Sequence, residues 1–425
     1  MRMFLLSYLS EYNRYMNIIG IVVILGIATL VSRKRSAINV RQVMSALILH
    51  LLIALGALKT SIGRDILAYV ARVVQCLYLI ADESAAFIFG NLTQVSGPWG
   101  FVFAFKVLPV IIFFGALMSL LFHFGIIQRF VGVVSIAVRP FLGTSGAETL
   151  CAIANSFLGQ TESPLLIRHY LARMTKSEML VVMLSGMATI SGSILVVFGA
   201  MGVPVEHMLA SSVMSIPAAI LIAKIIYPET EKPVTAGGAR VETQRTAHNA
   251  FDAIFAGTSD GLQLALNVAA MLISFLALLG LINFSLAYAG WRINDLLTYW
   301  HSPFLVPELS LQRIFAYLFA PFGYLLGLTG SEALMAGQLL GIKVAVNELI
   351  AYGEMVHMNL SARAVAVITY ALCGFSNFSC IGIQLGGIGA LVPEKRKWLA
   401  ELGLTAVLGA TLANLLSAMV AGLML

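Results

Sequence analysis

Residues 144–174 read TSGAETLCAIANSFLGQTESPLLIRHYLARM. Apolar residues 149–159 run into Gly159-Gln160-Thr161-Glu162-Ser163-Pro164, and a second apolar arm, Leu165 to Arg173, follows. An eleven-residue helical arm covers roughly 16 Å, about half the hydrocarbon core of a bilayer. Two half-length arms around a polar, Gly/Pro-containing tip read as a re-entrant hairpin. Irregular backbone at membrane depth is tolerated only inside protein or beside a watery cavity. The segment 329–357 repeats the design, with apolar arms around Asn347-Glu348.

The rest of the chain sets these hairpins in a membrane. Of 425 residues, 59% are hydrophobic and 11% charged, against about 45–50% and 25% in soluble domains. This excludes an ordinary soluble enzyme, a disordered chain and a nucleic-acid binder; the net charge of +6 is too thinly spread for a phosphate-binding patch. Apolar stretches of spanning length lie near 17–32, 42–58, 101–124, 178–200, 207–227, 262–289, 364–390 and 399–424, so an all-α membrane protein of about eight transmembrane helices is expected. The first run, preceded by Glu11 and Arg14, lacks a small-residue cleavage pattern and reads as a span. Between 60 and 95, Arg64, Asp65, Arg72, Asp82 and Glu83 are mixed with Leu, Val, Tyr and Phe. That pattern suits an amphipathic helix in the interface.

Sixteen of the 26 lysines and arginines fall between spans one and two, three and four, five and six, or seven and eight, counting Lys224 at the end of span five. They include Arg33, Arg129, Arg173, Lys224, Arg240, Arg245 and Lys397. Eight alternating crossings put them all on one side, the cytoplasm, with the termini outside; Arg2 and Arg14 weigh mildly against this. The polar stretch Pro228 to Asn249, with Glu229, Glu231 and Glu242, divides the chain near its middle. The expected organisation is 1–100 (N-terminal spans and interfacial helix), 101–227 (a first repeat), 228–250 (a cytoplasmic linker) and 251–425 (a second repeat with the C-terminal span).

The repeat is visible in the spacing. Thr144-Ser145-Gly146-Ala147-Glu148 resembles Thr329-Gly330-Ser331-Glu332 in character. Glu148 and Glu332 lie 184 residues apart, and Glu162 and Glu348 lie 186 apart. Each tip acid is followed 27 residues later by a helix-breaking polar run, Thr189-Ile190-Ser191-Gly192-Ser193 or Phe375-Ser376-Asn377-Phe378-Ser379-Cys380. Three crossings separate the hairpins, so they enter from opposite sides. This inverted repeat is the layout of a secondary transporter with its site at the repeat interface.

Glu162 and Glu348 stand where ionised carboxylates cost several kcal/mol unless paired or hydrated, which marks them as functional rather than as acids buried for structure. Asn155 and Thr189 supply neutral oxygens, and broken helices free carbonyls such as those of Leu158 and Ile190. Such a cage suits Na⁺, although a helix-packing hydrogen bond explains the two side chains equally well on spacing alone. Glu148 and Glu332 read as helix-start carboxylates. Lys106, alone in span three, either neutralises a buried acid or snorkels; Lys343, one turn before Glu348, either eases that acid's burial or pairs with it. Cys76, Cys151, Cys373 and Cys380 read as small buried hydrophobes. His50, His123, His169, His207, His248, His301 and His357 show no metal-ligand spacing. No Walker loop, nucleophile elbow or CxxC is present, so catalysis has no candidate site and no cofactor is implied.

The tip Gly159 to Pro164, the run Val346-Asn347-Glu348-Leu349 and the run Cys373 to Ser379 resemble the signature segments of concentrative nucleoside transporters. Pro228 to Pro233 and Gly261-Leu262-Gln263-Leu264-Ala265-Leu266-Asn267 are similar to the family's bacterial members. The resemblance covers nearly the whole chain. It implies a homotrimer in the bacterial inner membrane, with a transport domain moving, elevator-fashion, against a scaffold that includes residues 1–100. It implies import of nucleosides driven by sodium as the coupling ion, or alternatively by protons carried on a hairpin carboxylate. Gln160, Thr161 and Glu162 would face the nucleobase, and Ile194 and Leu264 would wall it. Glu348, Asn377 and Cys380 would contact the ribose, with Phe375 lining the site. Sodium would sit between the Asn155 and Thr189 side chains and the Leu158 and Ile190 backbone. Proton-coupled relatives tend to lose the Asn155/Thr189 pair, and the family commonly has Ser where this chain has Cys380. A carboxylate can accept from vicinal hydroxyls, and an amide with a hydroxyl matches a base edge.

Overall fold

A computed structural model describes residues 8–94, 97–100, 102–237, 239, 247–300 and 305–425. Arg2, Arg240, Glu242, Arg245 and His301 lie outside these. Every regular element among the described residues is helical, as expected where each backbone polar group must find its partner within the protein. Among the described residues, eight helices are long and apolar enough to cross a membrane. They become nine if Leu311–Leu325 and Gly330–Ala345, bent by 115°, are counted as one span.

Seven of the eight stretches anticipated from hydropathy coincide with such helices, and the eighth is broken at the anticipated polar run. The region 364–390 is two shorter helices, Ala362–Leu372 and Ser379–Leu391, interrupted at the polar run 373–378. The stretch 60–95, read as an interfacial helix, is one 29-residue helix, Ser61–Phe89, which length and composition alone would also allow to cross. Its charges are spaced widely enough to leave an apolar window of spanning length. The span near 262–289 is the middle of a 50-residue helix, Ala250–Tyr299.

The other break falls within Lys176–Ala200, where Thr189 and Ser191 adopt extended backbone between Lys176–Ala188 and Gly192–Ala200. Both anticipated hairpins are pairs of short helices. The first is Gly146–Asn155, then the 3₁₀ turn Ser163–Ile167 and Arg168–Leu171; the second is Gly330–Ala345 and Glu348–Met355. Ahead of each runs an unanticipated helix, Ile126–Leu142 or Leu311–Leu325. Each carries an internal proline, Pro140 or Pro321, and is followed by a left-handed glycine, Gly143 or Gly327. These extend the repeat by one station.

Burial separates an inner bundle from outer helices. The spanning windows of Lys176–Ala200 and Val205–Ile226 are 83% and 89% buried, against 12% for Ala250–Tyr299. The long helix packs tightly on Leu108–His123. A Cβ on Gly257 would come within 2.4 Å of the Gly115 carbonyl oxygen, and one on Gly261 within 2.9 Å of Ile112 Cα. Gly257 and Gly261 thus form a small-xxx-small contact.

Two interlocked caps fix the start of the first hairpin. Ser145 and Glu148 close a capping box, as do Thr175 and Glu178, each satisfying two helix-start amides. The Ser145 hydroxyl also donates to Glu178 Oε1 at 2.5 Å, joining the two helix N-termini. Glu148 pairs with Lys224 at 2.8 Å, with side chains 1% and 3% exposed. The linker docks here as well, with Gly146 N donating to the Thr235 carbonyl at 2.9 Å. The structural reading of Glu148 is thereby borne out.

Breaking a buried pair by removing one partner costs about 3–5 kcal/mol. Lys224→Met is therefore expected to lower the thermal midpoint of the solubilised protein clearly, and adding Glu148→Gln to recover part of the loss. A Lys224→Met midpoint equal to wild type would show that the pair does not support the hairpin.

Candidate functional site

Each hairpin lends a carbonyl to the broken helix of its own repeat. Gly192 N donates to Phe157 O at 3.0 Å, and Phe378 N donates to Val344 O at 3.3 Å. Irregular backbone at a break has lost its helical partners, and these contacts replace some of them. Gly159, with φ +102°, lies so close to Ser191 that a Cβ would meet the serine Cβ at 3.1 Å. The two tips are thereby held against the two breaks, which places their polar side chains.

On the second repeat's side, the buried Asn377 donates its amide to Glu348 Oε2 at 2.8 Å. Its Oδ1 accepts from Ser379 Oγ at 2.6 Å and from Cys380 N at 3.1 Å. The Glu348 carboxylate therefore keeps acceptor capacity for further donors. Phe375, partly buried, adjoins it through its carbonyl, which accepts from Asn377 N at 2.8 Å. Asn347 is the helix cap here, accepting from Ile350 N at 2.9 Å. Lys343 makes no ion pair with Glu348 among the described residues; it donates to the Ala371 carbonyl and to Asn414 Oδ1, each at 2.9 Å.

Gln160 joins the two repeats. Its amide nitrogen donates to Cys380 Sγ at 3.3 Å, and its Oε1 accepts from Gln384 Nε2 at 3.0 Å. Gln384 also donates to the Met183 carbonyl at 2.9 Å, while its own Oε1 is buried without a hydrogen-bond partner. Gly186 permits this crossing, since a Cβ there would stand 2.8 Å from Gln160 Cβ. Gln384 escaped the sequence reading. Its signal was a lone amide in the apolar run Cys380 to Leu391, which is uncommon in a spanning segment without a reason.

Asn155 and Thr189 converge on Ser185. Asn155 Nδ2 donates to Ser185 Oγ at 2.9 Å, and Thr189 Oγ1 donates to the Ser185 carbonyl at 2.9 Å. Asn155 Oδ1 is buried with no hydrogen-bond partner. An orphaned oxygen beside a helix break is costly unless something electropositive meets it. The donor set therefore fits a hard monovalent cation. Leu158 and Ile190, whose carbonyls complete the anticipated set, are both buried.

Glu162 and Thr161 project from the first tip and are exposed. Glu162 lines a cavity of about 180 Å³ together with Leu158, Ser193, Leu264 and Asp260. Leu264 and Asp260 come from the long helix Ala250–Tyr299, one turn apart, so this cavity lies between the inner bundle and an outer helix. Asp260 was missed because Gly261 to Asn267, the recognisable stretch, begins one residue after it. Thr161 lies beside Gly387, where a Cβ would come within 3.2 Å of Thr161 Cγ2. Ile194 is partly buried just past the first break and packs on the core. Glu348, Asn377 and Cys380 are not among the residues lining this cavity. A larger cavity of about 440 Å³, between Tyr78 and His207, contains no anticipated site residue.

Two open roles close. Lys106 pairs with Asp82 at 2.7 Å. Glu332 accepts from Ser361 N at 2.8 Å, tying the second hairpin to the start of Ala362–Leu372.

Comparison with known proteins agrees with this arrangement along the whole chain. Residues 207–422 match the model for the Na⁺-dependent nucleoside transporter C-terminus, residues 19–92 that for its N-terminus, and residues 104–204 a nucleoside recognition (Gate) model. The chain is 41% identical to an uncharacterized transporter of Haemophilus influenzae, over 96% of this chain and 97% of the relative. It is 38% identical to the nucleoside permease NupC of Helicobacter pylori, over 97% and 98%. Its fold is similar to that of CNTnw in an inward-facing substrate-bound state, with TM-score 0.87 and 37% identity over 96% and 98% of the two chains. The chain belongs to the concentrative nucleoside transporter family and is a multi-pass membrane transporter of nucleosides, not an enzyme.

Proposed function

We propose that this protein imports nucleosides across the bacterial inner membrane by sodium symport, as a homotrimer whose inner bundle moves elevator-fashion against the outer helices. The observation that carries this reading is the meeting of the two repeats. Gln160 of the first hairpin contacts Cys380 and Gln384 of the second broken helix, and Glu348 is held by Asn377, while Asn155 Oδ1 waits beside the first break.

The nucleoside lies between the tips. Ribose hydroxyls donate to the Glu348 carboxylate, whose orientation Asn377 sets, and Phe375 flanks the sugar. An analogue lacking a hydroxyl leaves a buried acceptor unpaired and is rejected strongly. The base edge meets Gln160, Thr161 and Glu162, with Ile194 and Leu264 as apolar walls. The Cys380 thiol, already engaged by Gln160, is a weaker partner for the sugar than a hydroxyl. Sodium is held by Asn155 and Thr189 with the Leu158 and Ile190 carbonyls. Its charge offsets the two hairpin carboxylates, which lowers the cost of moving the loaded bundle through hydrocarbon. The outer helices, with exposed Ile273, Leu276, Leu281 and Phe284 on Ala250–Tyr299, supply apolar surface for lipid and for neighbouring copies.

Proton coupling is the second reading, favoured by one observation: Glu162 and Asp260 share a cavity, and neighbouring carboxylates are a site at which a proton can be held.

In proteoliposomes, an inward sodium gradient is expected to drive uridine or adenosine accumulation. Equal accumulation from a proton gradient with sodium absent would instead identify the second reading. Glu348→Gln keeps the shape of the side chain but weakens its acceptor; transport is expected to fall by about two orders of magnitude or more, in line with lost hydrogen bonds to a charged group. Unchanged uptake would remove Glu348 from the sugar site. For Asn155→Ala, the sodium concentration for half-maximal uptake is expected to rise at least tenfold, corresponding to about 1.4 kcal/mol. An unaltered sodium dependence would place the ion elsewhere.

A further inference from the structure

The two breaks touch each other. Gly374, with φ +119°, stands where a Cβ would come within 2.7 Å of the Ala188 carbonyl oxygen and 2.8 Å of Asn414 Oδ1. Ala188 is the last residue of Lys176–Ala188 and immediately precedes Thr189 and Ile190. Gly374 immediately precedes Phe375, Ser376 and Asn377. Thus the backbone that shapes the cation site leans directly on the backbone that shapes the sugar site.

One buried side chain spans this contact. Asn414, on the C-terminal helix Arg396–Met424, donates its amide to the Ala188 carbonyl at 2.7 Å. Its oxygen accepts from Lys343 Nζ at 2.9 Å and from Ser376 Oγ at 3.3 Å. Lys343, wholly buried on the second hairpin, also donates to the Ala371 carbonyl at 2.9 Å. The amide nitrogen and oxygen share one rigid plane, so a shift of Ala188 is passed on to Ser376 and Lys343. Ser376 adjoins Asn377, which holds Glu348. Asn414 and Lys343 touch neither ligand in this arrangement; they connect the two groups that do.

We propose that Asn414, with Lys343 as its cationic partner, is the positioning residue that couples the cation site at Asn155 and Thr189 to the sugar site at Glu348 and Asn377. This rests on the sodium-symport reading and deepens it. Sodium drawing the Ala188–Ile190 backbone toward Asn155 sets the Asn414 plane, which in turn orients Ser376 and Asn377. Coupling between two sites is reciprocal, so uridine must raise sodium affinity by the factor by which sodium raises uridine affinity. A buried amide that only packs the bundle carries no such factor.

The experiment measures uridine affinity by calorimetry on the full-length protein, in sodium chloride and in choline chloride of equal ionic strength. For wild type, sodium is expected to tighten binding by about 5- to 150-fold. Asn414→Asp keeps the acceptor for Lys343 and Ser376 but has no donor for the Ala188 carbonyl. It is expected to bind uridine in choline much as wild type does while its sodium enhancement falls toward one. Asn414→Ser, smaller and still able to hydrogen-bond, is the second variant, with the same expected loss of enhancement should the aspartate not yield folded protein. Either variant, folded and retaining the wild-type enhancement, overturns the inference alone. A wild type whose uridine affinity ignores sodium overturns the symport reading, and this inference with it.

Discussion

Hydrocarbon offers no partner to an unpaired peptide group, and this constraint organises the molecule. A helix broken at depth exposes amides and carbonyls that would each cost several kcal/mol if left unmet. Here each break is answered by the hairpin of its own repeat, Phe157 O meeting Gly192 N and Val344 O meeting Phe378 N. Each hairpin brings its tip to a break. Once tip and break are in contact, their polar residues are gathered in one place, and the chemistry follows from that proximity.

The same constraint explains why the polar residues form chains. Glu348 is held by Asn377, Asn377 by Ser379 and the Cys380 amide, Cys380 by Gln160, and Gln160 by Gln384. Among the residues of the candidate site, two buried atoms stand outside this satisfaction, Asn155 Oδ1 and Gln384 Oε1. In an interior where most buried polar atoms are paired, such exceptions mark where something else belongs. The outer helices follow a different rule. Gly115, Gly257 and Gly261 trade side chains for close backbone approach, which suits a contact that must hold without the hydrophobic effect between helices.

Much of this was legible in the sequence, and the misses have physical reasons. The hairpins were readable because a half-length apolar arm and a Gly/Pro tip are rare together, and the equal spacing of Glu162 and Glu348 from their breaks gave the repeat. Ile126–Leu142 and Leu311–Leu325 were not readable, because Arg129, Arg139 and Arg313 interrupt windows already shorter than a span. For the stretch 60–95 the helix was readable but not its placement, since scattered charge on a 29-residue helix does not by itself distinguish lying from crossing. Gln384 and Asn414 each sit alone among apolar neighbours, and Asp260 ends the polar run Thr258-Ser259-Asp260 just ahead of the recognisable stretch, so none has a spacing to interpret. Their importance comes from contacts more than 200 residues distant in sequence in two of the three cases.

Those distances carry a consequence for how the protein comes into being. The interlocked caps at Ser145 and Glu178 join residues only 33 apart. That clamp can close while the second half of the chain is still being synthesised, as local contacts form first. Gln160 meets Gln384 across 224 residues, and Ala188 meets Asn414 across 226. The first seam waits for Ser379–Leu391, and the second for Arg396–Met424, to enter the bundle. Until then the first repeat carries its exposed tip, with Gln160 and Glu162, as an unfinished polar face inside the membrane. The site is thus completed late, and truncation ahead of Ser379–Leu391 removes its Cys380 and Gln384 side.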